Sequence, residues 1–303
     1  MKNIAKLIKL TLLVVSSTIM FSCSDDDSTT SSTNSISDVA SRNSDLSILV
    51  DALEKTDLLS VLGQNGSYTV FAPTNSAFNN FLDENNFNSL DEVPVGLLRE
   101  VLLNHVVVGA NLSSNLRTGY VKTLGKGNAS STNTLSMYIN TSDGVRLNGV
   151  SSVIIANIGA SNGVIHVVDA VIGLPTVVTH ALANPSFSSL VGALTSSGQP
   201  DFVGILSGSA NSPFTVFTPS NDAFATFESQ NPGTLGSLTS SQLTSILSYH
   251  VVAGANVLSN EIPSGPITTF ESGTFTISGT TNTDEASRQT KIVAVDVQAS
   301  HGD

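Results

Sequence analysis

The chain has no tryptophan, one cysteine and four tyrosines among its 303 residues. A single thiol, Cys23, excludes an intrachain disulfide framework. The scarcity of flat aromatic rings weakens the case for a sugar-stacking site. Charge is also sparse: 12% of residues carry it, with 12 Lys and Arg against 24 Asp and Glu, for a net charge of −12. Such a surface repels phosphate backbones, and no basic cluster offsets it, so nucleic-acid binding is disfavoured. Beyond the N-terminus, no apolar run approaches the length of a membrane-spanning helix. Low charge does not mean disorder here, because 40% of the residues are hydrophobic and the length allows two domains.

Catalytic and metal motifs are also missing. The five histidines, His105, His166, His180, His250 and His301, have no second His, Cys or carboxylate at a ligand spacing such as H-x-x-x-H. No serine sits in a G-x-S-x-G elbow, and neither G-x-G-x-x-G nor a phosphate-binding loop occurs. Asp143-Gly144 reads as a hairpin turn. Asp25 to Asp27 lack the spacing of a calcium loop. The expectation is a non-catalytic protein with no cofactor and no metal.

What is present begins with the leader. Residues 1–22 join three lysines, Lys2, Lys6 and Lys9, to an apolar segment around Leu10 to Val15 and end at Ser22, just before the only cysteine. This is an export-signal pattern, too short to span a membrane. Ending at Cys23, it resembles a bacterial lipoprotein signal, in which the thiol receives a diacylglycerol; several acyl chains on one residue anchor firmly. The alternative is an ordinary secretory signal with an incidental cysteine. Residues 23–35 form an acidic, Ser/Thr-rich tether. Its Ser24-Asp25-Asp26-Asp27 run resembles the tag that carries lipoproteins of Bacteroidetes-type bacteria to the outer face of the outer membrane.

The rest of the chain is written twice. YTVFAPTNSAF, Tyr68 to Phe78, returns as FTVFTPSNDAF, Phe214 to Phe224, with seven of eleven positions identical. Thr69, Val70 and Phe71 suit a strand, and Pro73 keeps the preceding residue extended. Thr74 or Ser220 can cap a following helix, which would return Phe78 or Phe224 to the core. Upstream, Ala40, Leu46, Leu49, Val50, Ala52 and Leu53 match Ala181, Phe187, Leu190, Val191, Ala193 and Leu194 as one apolar helical stripe. Leu98, Val101, Leu102 and His105, like Leu243, Ile246, Leu247 and His250, sit at i, i+3, i+4 and i+7. Both histidines therefore read as core groups on a helix running into a strand. His166, inside an apolar strand, reads the same way. GASNG, Gly159 to Gly163, matches QASHG, Gln298 to Gly302. One domain has been duplicated; a solenoid unit would be far shorter.

TVFAPTNSAF, NHVVVG with YHVVAG, and NGVIHVVDAVIGLP (Asn162 to Pro175) together resemble the characteristic segments of fasciclin domains. The resemblance covers residues 36–175 and again 176–303. It implies an α+β fold: in each copy a bent β-sandwich of about seven strands with helices packed along one side. It also implies a function, adhesion, attributed in animal members to a Tyr-His pair and an Asp-Ile pair. Residue by residue, Tyr249-His250 matches the first and Asp296-Val297 the second. The first copy has Asn104-His105 and Asn157-Ile158 there, and so lacks the tyrosine and the acid. The expected partner is an extracellular matrix, glycan or cell-surface protein, reached from a lipid-anchored position on the outer membrane. The alternative is capture of a glycan or small ligand for nutrient uptake.

The chain stops at Asp303, one residue beyond Gly302, whose counterpart Gly163 opens an apolar strand. The sequence thus leads us to expect that the second copy lacks its last strand and that the reading frame is longer. Losing roughly four buried aliphatic side chains costs on the order of 6–12 kcal/mol, which would leave that copy marginal.

Overall fold

A computed structural model describes residues 34–300. The leader 1–22, Cys23, the tether up to residue 33, and His301 lie outside the described residues.

The first copy opens with helices α1 (Ile36–Ser41), α2 (Ser47–Lys55) and α3 (Leu59–Gly63). The apolar stripe expected on one helix is divided between α1 and α2. A 3-10 turn, Ser44–Leu46, separates them, and the Asn43 side chain accepts the Asp45 amide at 3.0 Å to cap it. Strand β1 (Tyr68–Pro73) then leads into α4 (Asn75–Glu84), α5 (Val95–Asn104), β2 (Val106–Val108), β3 (Gly119–Lys126), β4 (Thr134–Asn140), β5 (Arg146–Leu147), β6 (Ser151–Ala160) and β7 (Gly163–Val168). The turn around Asp143-Gly144 joins β4 to its antiparallel partner β5.

The fold is α+β, but the sheet departs from the expected sandwich. Its seven strands close into a barrel in the order β1-β2-β3-β4-β5-β6-β7. Closure comes from β7, which pairs antiparallel with β6 and parallel with β1 along the whole of β1. Every residue of β7 is buried. A strand apolar on both faces needs covering on both, and closing on β1 also removes the edges that an open sheet would leave.

Alternation along β1 builds two cores. Val70 and Ala72 face α2, α4 and α5, joining Leu49, Leu53, Phe78, Leu98, Leu102, Ile165 and Val167. Phe71 points the other way, into the barrel, with Met137, Ile139, Leu147, Val168 and Ile172. Phe71 and Phe78 are both completely buried.

The second copy comprises α6 (Val177–Ala183), α7 (Ser188–Leu194), α8 (Phe202–Ser207), β8 (Phe214–Val216), α9 (Asn221–Gln230), α10 (Thr234–Ser237), α11 (Ser240–Tyr249), β9 (Val251–Ala253), β10 (Ile267–Thr268), β11 (Thr274–Ser278), β12 (Thr281–Asp284) and β13 (Gln289–Lys291). Its opening corner repeats the first. Thr74 accepts the Ala77 amide at 3.2 Å and Ser220 accepts the Ala223 amide at 3.3 Å, from nearly identical backbone angles. The sheet, however, lies in two pieces, β8-β9 and β10-β11-β12-β13. The expectation about a last strand in this copy falls on Gly302 and beyond, outside the described residues. The apolar stripe of α11 is only partly covered: Leu247 is buried, whereas Ile246 is 43% exposed and His250 half-buried. This corrects the expectation that His250 is a core residue. Both copies belong to one compact unit, Ser32–Asp303.

Candidate functional site

The Tyr-His pair stands where a helix ends and a strand begins. In the first copy His105 follows α5 and is buried. Its Nδ1–H donates to the Val101 carbonyl at 2.7 Å, and its Nε2 accepts the Ile172 amide at 2.9 Å. That tautomer requires a neutral ring, and burial pushes its pKa down to about 4 against the opposing pull of the Val101 carbonyl. Asn104 is equally buried: its amide nitrogen donates to the Gly173 carbonyl at 2.9 Å, and its oxygen accepts from the Thr123 hydroxyl at 3.1 Å. In the second copy His250 makes the same helix-closing bond to Ile246 O, at 2.8 Å. Tyr249 is half-buried. Its ring lies against Phe275, with centroids 6.2 Å apart, and its hydroxyl donates to the Thr274 carbonyl. Desolvation, with the charges of Asp284 and Glu285, raises its pKa. Both histidines close the last turn of a helix, and His105 also holds the Ile172 amide.

Asp296 and its counterpart Asn157 share an unusual backbone, φ 59° and 65°. Asn and Asp tolerate this left-handed region better than most residues. Each closes the loop opposite it. Asn157 accepts the Ser113 amide at 2.8 Å, and Asp296 accepts the Ser259 amide at 2.8 Å and the Ser259 hydroxyl at 2.6 Å. Asp296 remains exposed and Val297 half-buried. The four residues singled out by sequence therefore make two separate sites, one at the end of α11 and one after β13.

His166 is wholly buried, stacked on Phe71 at 5.5 Å between ring centroids. It donates to the Asn111 carbonyl at 2.9 Å and accepts the Asn157 amide at 3.2 Å, and burial lowers its pKa. Nearby, a cleft of about 250 Å³ opens between β2, β3 and the 112–118 loop, with Leu116, Val121 and Ile139 in its wall and Arg117 and Tyr120 at its rim. Among the described residues no group of three His, Cys, Asp or Glu side chains could hold a metal ion, and no helix is long and apolar enough to cross a membrane.

Sequence reasoning passed over two pairs of polar staples. Asn75 accepts the Ile48 amide and donates to the Ser44 carbonyl; Asn221 accepts the Ser189 amide and donates to the Pro185 carbonyl. Thr69 and Thr215 each donate to the loop carbonyl of Gly109 or Ala255 and accept the amide two residues on. Their signal was in view: all four lie in the repeated eleven residues and are identical between copies.

The family model described as "Fasciclin domain" matches residues 44–175 and 185–302. Protein sll1483 of Synechocystis sp. is 36% identical over 143 residues, which is 47% of this chain and 75% of that protein. Human periostin is 26% identical over 208 residues and rat stabilin-2 26% over 214; the chain spans only 21% and 14% of their lengths. Among solved structures, a FAS1 domain pair from the insect cell adhesion molecule Fasciclin I aligns with a TM-score of 0.48 and 20% identity, covering 84% of this chain and 88% of that one. The two matched regions are the two copies read from the repeat, and the chain belongs to the fasciclin family.

Proposed function

We propose that this chain is a non-catalytic adhesion or matrix-interaction protein, anchored by lipid at Cys23 and displayed on the outer membrane. The observation that carries the reading is the family match, twice over; the anchor rests on the resemblance of residues 1–23 to a lipoprotein signal. Residues 1–22 would direct export, and residues 23–35 would hold the domains at 36–175 and 176–303 off the surface. Two modules in tandem suit weak, multivalent contacts, because linkage raises the effective concentration of the second. The partner class is matrix, glycan or cell-surface protein. Tyr249, His250, Asp296 and Val297 are the candidate contacts; since Tyr249, His250 and Asp296 also make bonds within the fold, replacing one must be accompanied by a fold control.

The test is whole-cell. Cells carrying the intact chain should incorporate a fatty-acid label and adhere to matrix-coated surfaces, and Cys23→Ala should abolish both. Labelling lost with adhesion unchanged would remove the anchor from the reading. Adhesion absent in labelled, surface-displayed cells would remove the function.

The cleft beside Arg117 and Tyr120 favours the second reading, capture of a glycan or small ligand. Saturable binding of one compound on a glycan or metabolite array, with no adhesion, would select it.

A further inference from the structure

Each copy could in principle hang from the other as a free bead, and the linker is only Leu174-Pro175-Thr176. We infer instead that residues Asp296–Ser300 latch the second copy onto the β3–β4 hairpin of the first, in an arrangement whose chemistry occurs once among the described residues. The tandem then has a fixed order, and the latch accepts no further copy.

The latch starts from an unfilled edge. β5 is two residues long and pairs with β4 only at Ile139 and Asn140. The Asn148 side chain takes the Tyr138 amide. The next outward amide, Ser136, donates to the Gln298 carbonyl at 2.9 Å, and the Gln298 amide returns to the Ser136 hydroxyl at 3.0 Å. Gln298, Ala299 and Ser300 are all buried. Beside them the Lys122 ammonium donates to the Asp296 carbonyl at 2.7 Å. Tyr120 stands edge-on to His180 of α6 at 5.4 Å, and its hydroxyl accepts from Asn184 at 3.4 Å. Fit is close: a Cβ on Gly127 would lie 2.5 Å from the Ser300 Cβ and 2.6 Å from its Cα.

The duplication supplies the argument for order. LRTGYVKT (116–123) aligns with IPSGPITT (262–269), placing Thr268 opposite Lys122 and Pro266 opposite Tyr120. The offsets of the helical stripe and of GASNG place Val39 opposite His180 and Gly159 opposite Gln298. The outer hairpin of the second copy therefore lacks the ammonium and the phenol, and the outer face of the first copy lacks the imidazole. A contact that joins unlike faces makes rings or filaments only when both faces recur on the same body, and here each copy carries only one of them.

Amide exchange by NMR on the 24–303 chain tests this. The Ser136 amide should be protected in the unaltered protein. Gly127→Val should speed its exchange at least tenfold while Val70 and Ile165 stay slow, and Lys122→Met should give a smaller acceleration. Free exchange of Ser136 in the unaltered protein overturns the latch. So does a Gly127→Val protein that folds and keeps Ser136 protected. Concentration-dependent head-to-tail association seen by light scattering, and abolished by Gly127→Val, overturns the fixed order.

Discussion

In the first copy β1 has a neighbour on each side, β2 and β7; in the second, β8 pairs only with β9 among the described residues. The local chemistry around these strands is the same in both: the same cap at Thr74 and Ser220, the same Asn staple, the same threonine bond to the loop. Burial is not. Phe71 and Phe78 are sealed, whereas Phe217 and Phe224 are half-buried, and α9 contains no buried residue. Nineteen buried residues make the main core of the first copy, against three in each cluster of the second. Eleven residues suffice to shape a corner, but sealing it depends on strands far away in the chain.

The most severe way to break the contrast is at Gly163, where a Cβ would sit 2.0 Å from the Tyr68 carbonyl. Gly163→Ala should cost at least about 4 kcal/mol, by forcing β7 away from β1. Urea unfolding followed by far-UV circular dichroism should then show the first copy no more stable than the second. Next, Phe78→Ala should destabilise the first copy by about 3–5 kcal/mol, and Phe224→Ala the second by less than half of that. Equal losses in the same assay would mean that the two interiors are alike.

His105 sharpens the comparison through pH. Its folded pKa lies near 4, below its unfolded value, so the unfolded chain binds the proton first as pH falls. Its contribution is whole above the unfolded value of about 6.5 and is lost on descent to about 4, amounting to roughly 3 kcal/mol. Urea midpoints of the first copy should fall over that window, and His105→Gln should flatten the fall. The smallest effect belongs to the loop staples. Asn157→Ala and Asp296→Ala should each cost about 1–2 kcal/mol, from a left-handed backbone without its preferred residue and from lost hydrogen bonds. Similar losses in the two copies, measured in the same urea assay, would show that this device, unlike the core, survived duplication evenly.

Much of this was legible before any coordinates. The repeat, the helix caps and the buried stripe of Leu98, Val101, Leu102 and His105 follow from spacing and residue type, which act over a few residues. Barrel closure did not follow, because nothing local in GVIHVV says that its second neighbour is a strand 95 residues earlier, running parallel to it. The half-exposure of His250 was hidden for the same reason: its spacing copies that of His105, while its cover depends on distant chain. Asp296 was visible as a candidate contact, but not as a loop closure, since its partner Ser259 is set by the fold.

The parallel pairing of β1 with β7 also decides how the first copy would bear tension. Once its leading helices yield, a pull between its two ends reaches β1 at Tyr68 and β7 at Val168, opposite ends of six paired residues. Such a pull drags the strands lengthwise past each other, so all the rungs resist together instead of parting one after another. For a domain anchored and engaged as proposed above, that would be the sturdier direction in which to be tugged.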